Sequence, residues 1–90
     1  MSEPRPADAT TARPWQPADG PIRTRAWGPR EQPWLQVRAE ETWCPARLTM
    51  REDRQNGRVI YHVLITLPSN PVGVVHRAYW WDPAMIRPAE

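Results

Sequence analysis

From Trp34 onward, apolar and polar residues alternate. Leu35, Val37 and Ala39 interleave with Gln36, Arg38 and Glu40, the period-two pattern of a strand with one dry face and one wet face. Ala46, Leu48 and Met50 repeat it against Arg47, Thr49 and Arg51. Asn56-Gly57 follows, a pair suited to a tight hairpin because both residues tolerate positive φ. The next strand is the longest. Tyr61, Val63, Ile65 and Leu67 line one face, while Ile60, His62, Leu64 and Thr66 make the other largely apolar too. Partial burial on both sides suits a central, bent strand of a small barrel. Pro68 to Pro71 read as a turn by composition, and residues 72–81 resume extended structure rich in β-branched and aromatic side chains. Asp82 and Pro83 then predict one helical turn, Asp as cap and Pro at the first helical position. Ile86-Arg87 supplies a last short strand. No segment has the periodicity of a long helix.

The first 33 residues follow other rules. They hold seven of the 12 prolines and little apolar periodicity, so they cannot bury enough surface to offset the ordering of their backbone, roughly 1–2 kcal/mol per residue. The expectation is two regions: a flexible, partly polyproline-II tail over 1–33 and a folded domain over 34–88. Trp15, Trp27 and Trp34 punctuate this stretch as possible anchors, and Pro14-x-x-Pro17 would present a preformed ridge to a partner or to the chain's own domain.

The fold class expected is all-β: an SH3-like antiparallel barrel of about five strands with a short helical turn before the last. A domain of about 55 residues buries only about 60% of its unfolded surface. Large rings help to fill it, so Trp81, Tyr61, Val63, Ile65, Leu48 and Ile86 are expected inside. Trp43, Arg77, Tyr79 and Trp80 are expected outside as a ligand-binding surface. Parity within 74–81 is ambiguous, and Trp80 and Trp81 can exchange places.

Composition narrows the function classes. Twelve arginines against ten acids give +2, short of the excess typical of dedicated nucleic-acid binders. Arginine without lysine, with abundant Ala and Pro, matches a high-GC coding bias more than selection for phosphate. Cys44 stands alone, which excludes an internal disulfide and a cysteine-rich zinc site and suits a cytoplasmic protein. The amino terminus has no apolar region of the secretory kind, and no apolar run approaches the ~20 residues that span a bilayer. No metal or cofactor is expected.

Trp43-Cys-Pro-Ala-Arg-Leu48, Tyr61-His-Val-Leu-Ile65 and Met85-Ile-Arg-Pro88 together resemble the Tudor and agenet group of SH3-like barrels, over roughly residues 35–88. The ending also resembles small actinobacterial proteins with a Leu-Pro turn followed by a Tyr-Trp-Trp cluster. The Tudor resemblance implies the barrel fold and a cage of rings for methylated side chains. The positions where that cage would stand hold Cys44, Thr66 and Leu67, so a methyl-lysine reader is not implied.

Three functions compete. Catalysis has candidates in Cys44, His62, His76 and Asp82, but no nucleophile elbow, phosphate loop or His-Glu-x-x-His accompanies them, so no catalytic residue is assigned. Nucleic-acid binding, in a protein that could belong to a mobile element, would use Arg47 and Arg51 on one strand face with Arg54 and Arg58 at the hairpin. The leading expectation is a non-catalytic adaptor that binds a protein or peptide, including its own Pro-rich tail, through Trp43, Arg77, Tyr79 and Trp80.

Overall fold

The structure, a computed structural model, describes residues 8–89. A 3-10 turn, η1 (Pro17–Asp19), precedes six strands: β1 (Ile22–Ala26), β2 (Trp34–Ala39), β3 (Thr42–Arg54), β4 (Val59–Leu67), β5 (Asn70–Trp80) and β6 (Ile86–Pro88). All pairings are antiparallel. The ladder runs β5-β4-β3-β2-β6, with β1 pairing β3 off that path, and it is not closed.

β3 organises the sheet. Its first half pairs with β2 from Thr42 to Arg47 and its second half pairs with β1 from Met50 to Arg54. The two shorter strands thus share one edge of β3 end to end. The gap between them is bridged by Trp27 N donating to Thr49 O (3.0 Å) and Leu48 N donating to Pro33 O (2.9 Å). Its other edge carries β4.

Each hairpin has a local cause. Glu40 and Glu41 join β2 to β3 in a two-residue turn with both φ values positive, 49° and 64°. That conformation costs a non-glycine residue roughly 1–2 kcal/mol. Hydrogen bonds from Ser69 N (2.9 Å) and Oγ (2.6 Å) to the Glu40 carboxylate, and from Glu41 N to Asp8 Oδ1 (3.0 Å), help to offset it. The β3–β4 connection is a three-residue loop, Gln55 to Gly57, not the two-residue turn expected. Gly57 N donates to Arg54 O (3.0 Å), Arg54 N donates to Arg58 O (2.9 Å), and only Gly57 takes positive φ (83°). Pro68-Ser69 turn β4 into β5 as expected.

A bulge at Thr49 sets which residues face inward. Leu48 pairs with Val63 and Met50 with His62, so β3 spends two residues where β4 spends one. The Thr49 hydroxyl donates to His62 O (3.0 Å) across the irregularity. Before the bulge Cys44, Ala46 and Leu48 point inward; after it, Met50, Glu52 and Arg54 point outward. Met50 therefore does not join Leu48 in the core as its alternation predicted, and Arg47 and Arg51 lie on opposite faces, not one.

The core is aliphatic: Leu35, Val37, Ala39, Cys44, Ala46, Leu48, Val63, Ile65, Leu67, Tyr79 and Ile86, with Ala9, Trp27, Tyr61 and Val75 packed against it. Two ring assignments change. Tyr79, expected outside, is buried, because its register opposite Tyr61 puts it on the inner face. Trp81, expected inside, lies just past β5 and is 46% exposed. The helical turn before β6 is a single one, with Asp82 O accepting from Met85 N (2.9 Å) and Ile86 N (2.8 Å) and the Asp82 carboxylate capping Ala84 N (2.9 Å).

The expectation of an unstructured chain up to residue 33 does not hold for residues 8–33; residues 1–7 lie outside those described. Ala9 N donates to Arg38 O (2.7 Å), Ala12 N to Ala78 O (2.9 Å), and Trp80 N to Thr10 O (2.9 Å). This strap reaches from β2 to the free edge of β5 and then folds over the outer face. Pairing with a sheet satisfies its backbone groups where its own side chains could not have driven burial.

Candidate functional site

Two outward-facing patches carry the polar chemistry. The first lies on β6, β2 and the first half of β3. Trp34, Gln36 and Arg38 on β2 stand opposite Arg47, Pro45 and Trp43 on β3, and Arg87 on β6 stands opposite Gln36. The alternation that buries Leu35, Val37 and Ala39 forces these neighbours outward. Trp34 is 58% exposed, with the Arg47 guanidinium 5.6 Å from its ring centroid. Arg87 lies 3.8 Å over the Trp43 ring and donates from Nε to Gln36 Oε1 (2.9 Å). Arg38, Arg47 and Arg87 form no ion pair among the described residues. No carboxylate occurs within the three strand segments themselves; Glu40 and Glu41 stand at the turn. The result is a platform of two indoles and three guanidinium groups.

The second patch lies on the other half of the same outer face and is covered. Glu52 and Arg54 are both buried, with the Arg54 Nε donating to the Glu52 carboxylate. Glu52 Oε1 also meets His62 Nε2 at 3.0 Å, and the His62 ring stacks on His76 with centroids 5.4 Å apart. From the strap, Asp19 Oδ2 accepts from Arg54 Nη1 (3.0 Å), and Arg13 pairs with the same carboxyl group. Hydrogen bonds from Arg13 and from Gln16 N hold the Asp19 carboxyl below its ordinary range. No buried side-chain nitrogen or oxygen among the described residues lacks a partner. Trp80 borders this network, with the Arg58 guanidinium 3.7 Å over its ring.

The residues chosen from sequence are thus dispersed. Trp43 belongs to the open platform and Trp80 to the covered patch, while Arg77 is exposed on Tyr79's side of β5 and Tyr79 itself is in the core. The four do not form one surface. Of the hairpin set, Arg47 sits on the platform, Arg51 is exposed beside Asp53 (2.9 Å), Arg54 is enclosed in ion pairs, and Arg58 stacks on Trp80. Sequence reading missed Trp34, Arg38 and Arg87 as partners of Trp43. Their shared parity on paired strands was the available signal, but it needed the β2–β3 and β2–β6 registers.

Cys44 and the histidines are on opposite sides of the sheet, so no Cys–His pair forms. The Cys44 thiol donates to Ala39 O (3.4 Å), and burial pushes its pKa up. Among the described residues no group of His, Cys, Asp and Glu is arranged to hold a metal ion, and no helix is long and apolar enough to cross a membrane.

No protein-family model matches the chain, and no curated protein or solved structure matches it either.

Proposed function

We propose that the protein is a non-catalytic binding module for single-stranded nucleic acid and that the open platform is its contact surface. The observation that carries this is Trp34 and Trp43 interleaved with Arg38, Arg47 and Arg87 on one outward face, whose arginines have no carboxylate partner among the described residues. Rings and guanidinium planes both stack on unpaired bases, and the same cations meet phosphate. Stacking on rings needs bases that are unpaired and splayed out, which favours the single strand. In this reading the fold is a small SH3-like barrel. The strap supports that, since residues 9–12 bond to both β2 and β5 and so span the gap the ladder leaves.

The test is titration of fluorescent oligothymidylate and oligouridylate at 50 and 200 mM salt. Three arginine–phosphate contacts predict affinity roughly 20-fold weaker at the higher salt, from a slope of about −0.7 per contact. Absence of binding at 50 mM salt rejects the function.

A peptide-binding adaptor is the second reading, and one feature favours it. Tyr61 and Trp81, with ring centroids 6.4 Å apart, border a depression of about 340 Å³ lined also by Leu35, Pro83, Ile86 and Pro88. Such a groove would suit a proline-containing extended segment. Binding of a proline-rich peptide, abolished by Trp81→Ala and retained by Trp34→Ala, would select this reading over the first.

A further inference from the structure

We propose that the strap is a pH-sensitive clasp: it is shut over the outer face while His76 is neutral and lifts when His76 is protonated. His76, itself exposed, stacks on the half-buried His62 beside the strap, in a cleft of about 270 Å³ lined by Ala12, Arg13, Pro14 and Trp15 of the strap and by Ile60 and Ala78 of the sheet.

The charges around the pair leave little room for another positive one. On β3 stand Glu52 and Arg54, on the strap Arg13 and Asp19, next to His76 on β5 is Arg77, and at the start of β4 is Arg58 just outside. With neutral imidazoles, Arg13 and Arg54 balance Asp19 and Glu52. The Glu52 carboxylate is already engaged by Arg54 and by His62 Nε2. Among the described residues no carboxylate lies within ion-pair distance of His76. A proton there places a second cation against the His62 ring and beside Arg77. Burial foremost, then His62 and Arg77, hold the His76 pKa below its ordinary 6.5.

The strap is the element that can yield. It is held by three backbone hydrogen bonds, by Asp19 Oδ2 and Arg13 O accepting from Arg54 (3.0 and 3.4 Å) and by Glu41 N donating to Asp8 Oδ1 (3.0 Å), and most of residues 10–18 face solvent, Trp15 at 43% exposure. Ala9 packs against the aliphatic core, which otherwise lies on the other face of the sheet. A segment with few buried contacts and exposed hydrogen bonds opens at lower free energy than the whole domain.

Amide hydrogen exchange on the full chain, corrected for intrinsic rates, reads the clasp directly. The amides of Ala12 and Trp80 bond across the strap and β5, and their protection is expected to lie below that of Val63 and Ile65 at both pH values and to fall severalfold from pH 7.5 to 5.5. His76→Phe keeps a ring that cannot charge and should abolish the fall; His76→Gln is the second variant should Phe misfold. Equal protection at both pH values, protection at Ala12 and Trp80 as high as that at Val63 and Ile65, or a fall that persists in both variants overturns the proposal.

Discussion

On the outer side of β6, β2 and the first half of β3, three arginines face solvent with only indoles and an amide for company. On the outer side of the second half of β3, β4 and β5, Arg54 is enclosed by Glu52 and Asp19 beneath the chain's own amino-terminal segment. Residue types are similar, and the sheet is the same. The difference is cover. Where a segment of chain lies on the sheet, each cation is matched, because an unpaired buried charge is too costly to keep. Where no described segment lies on it, the arginines have no carboxylate partner among the described residues. An unmatched, uncovered half is available to a ligand, and a matched, covered half is a piece of internal architecture.

The contrast is broken most severely from the covered side. Glu52→Ala leaves buried Arg54 with Asp19 as its remaining carboxylate and is expected to cost about 3 kcal/mol in urea unfolding. Arg47→Ala on the bare side should change stability by less than about 0.5 kcal/mol. If the two substitutions cost the same, the covered cluster is not the structural element described. Next in size, Trp34→Ala is expected to weaken oligonucleotide binding by about 1–3 kcal/mol without moving the unfolding midpoint. A loss of stability matching the loss of binding would instead make Trp34 a packing residue.

Acid separates the halves in another way. His76 titrates below its ordinary 6.5 in the folded protein, so as pH falls the unfolded chain takes up that proton first. Its contribution to stability is therefore full above about pH 6.5 and lost as pH falls through the folded value. The bare half carries only arginine, so oligonucleotide affinity measured from pH 8 to 6.5 should stay flat, while the unfolding midpoint begins to decline only below that range. The smallest effect is the most diagnostic of phosphate contact: Arg47→Gln should reduce the salt slope by about 0.7 for a single strand.

Much of this architecture was legible in sequence. Leu35, Val37, Ala39, Val63, Ile65 and Ile86 were placed inward by alternation or bulk, and all are buried. β1 was not legible, because Arg23 and Arg25 interrupt its few apolar residues; only Ile22 is partly buried, and the strand exists because β3 overhangs β2 and offers it an edge. Glu52 and Arg54 were opaque for a different reason. A strict period of two continued through Thr49 assigns them to the wrong side, and nothing in the residues there announces a bulge. Tyr79 is hidden by the ambiguous parity of 74–81, and Trp81 by lying past the end of β5, where alternation no longer applies. The platform had its parts in view, Trp43 and Arg47 among them, but its assembly depended on strand pairing that periodicity does not contain.

Thr49 is the one supernumerary residue in the β3–β4 ladder, and the allocation of five following positions hangs on it. Removing it would turn Met50, Glu52 and Arg54 toward the aliphatic interior and send Arg51 and Asp53 out, a two-way exchange that no nearby substitution could repair. The gene should therefore tolerate many replacements at this codon but no deletion.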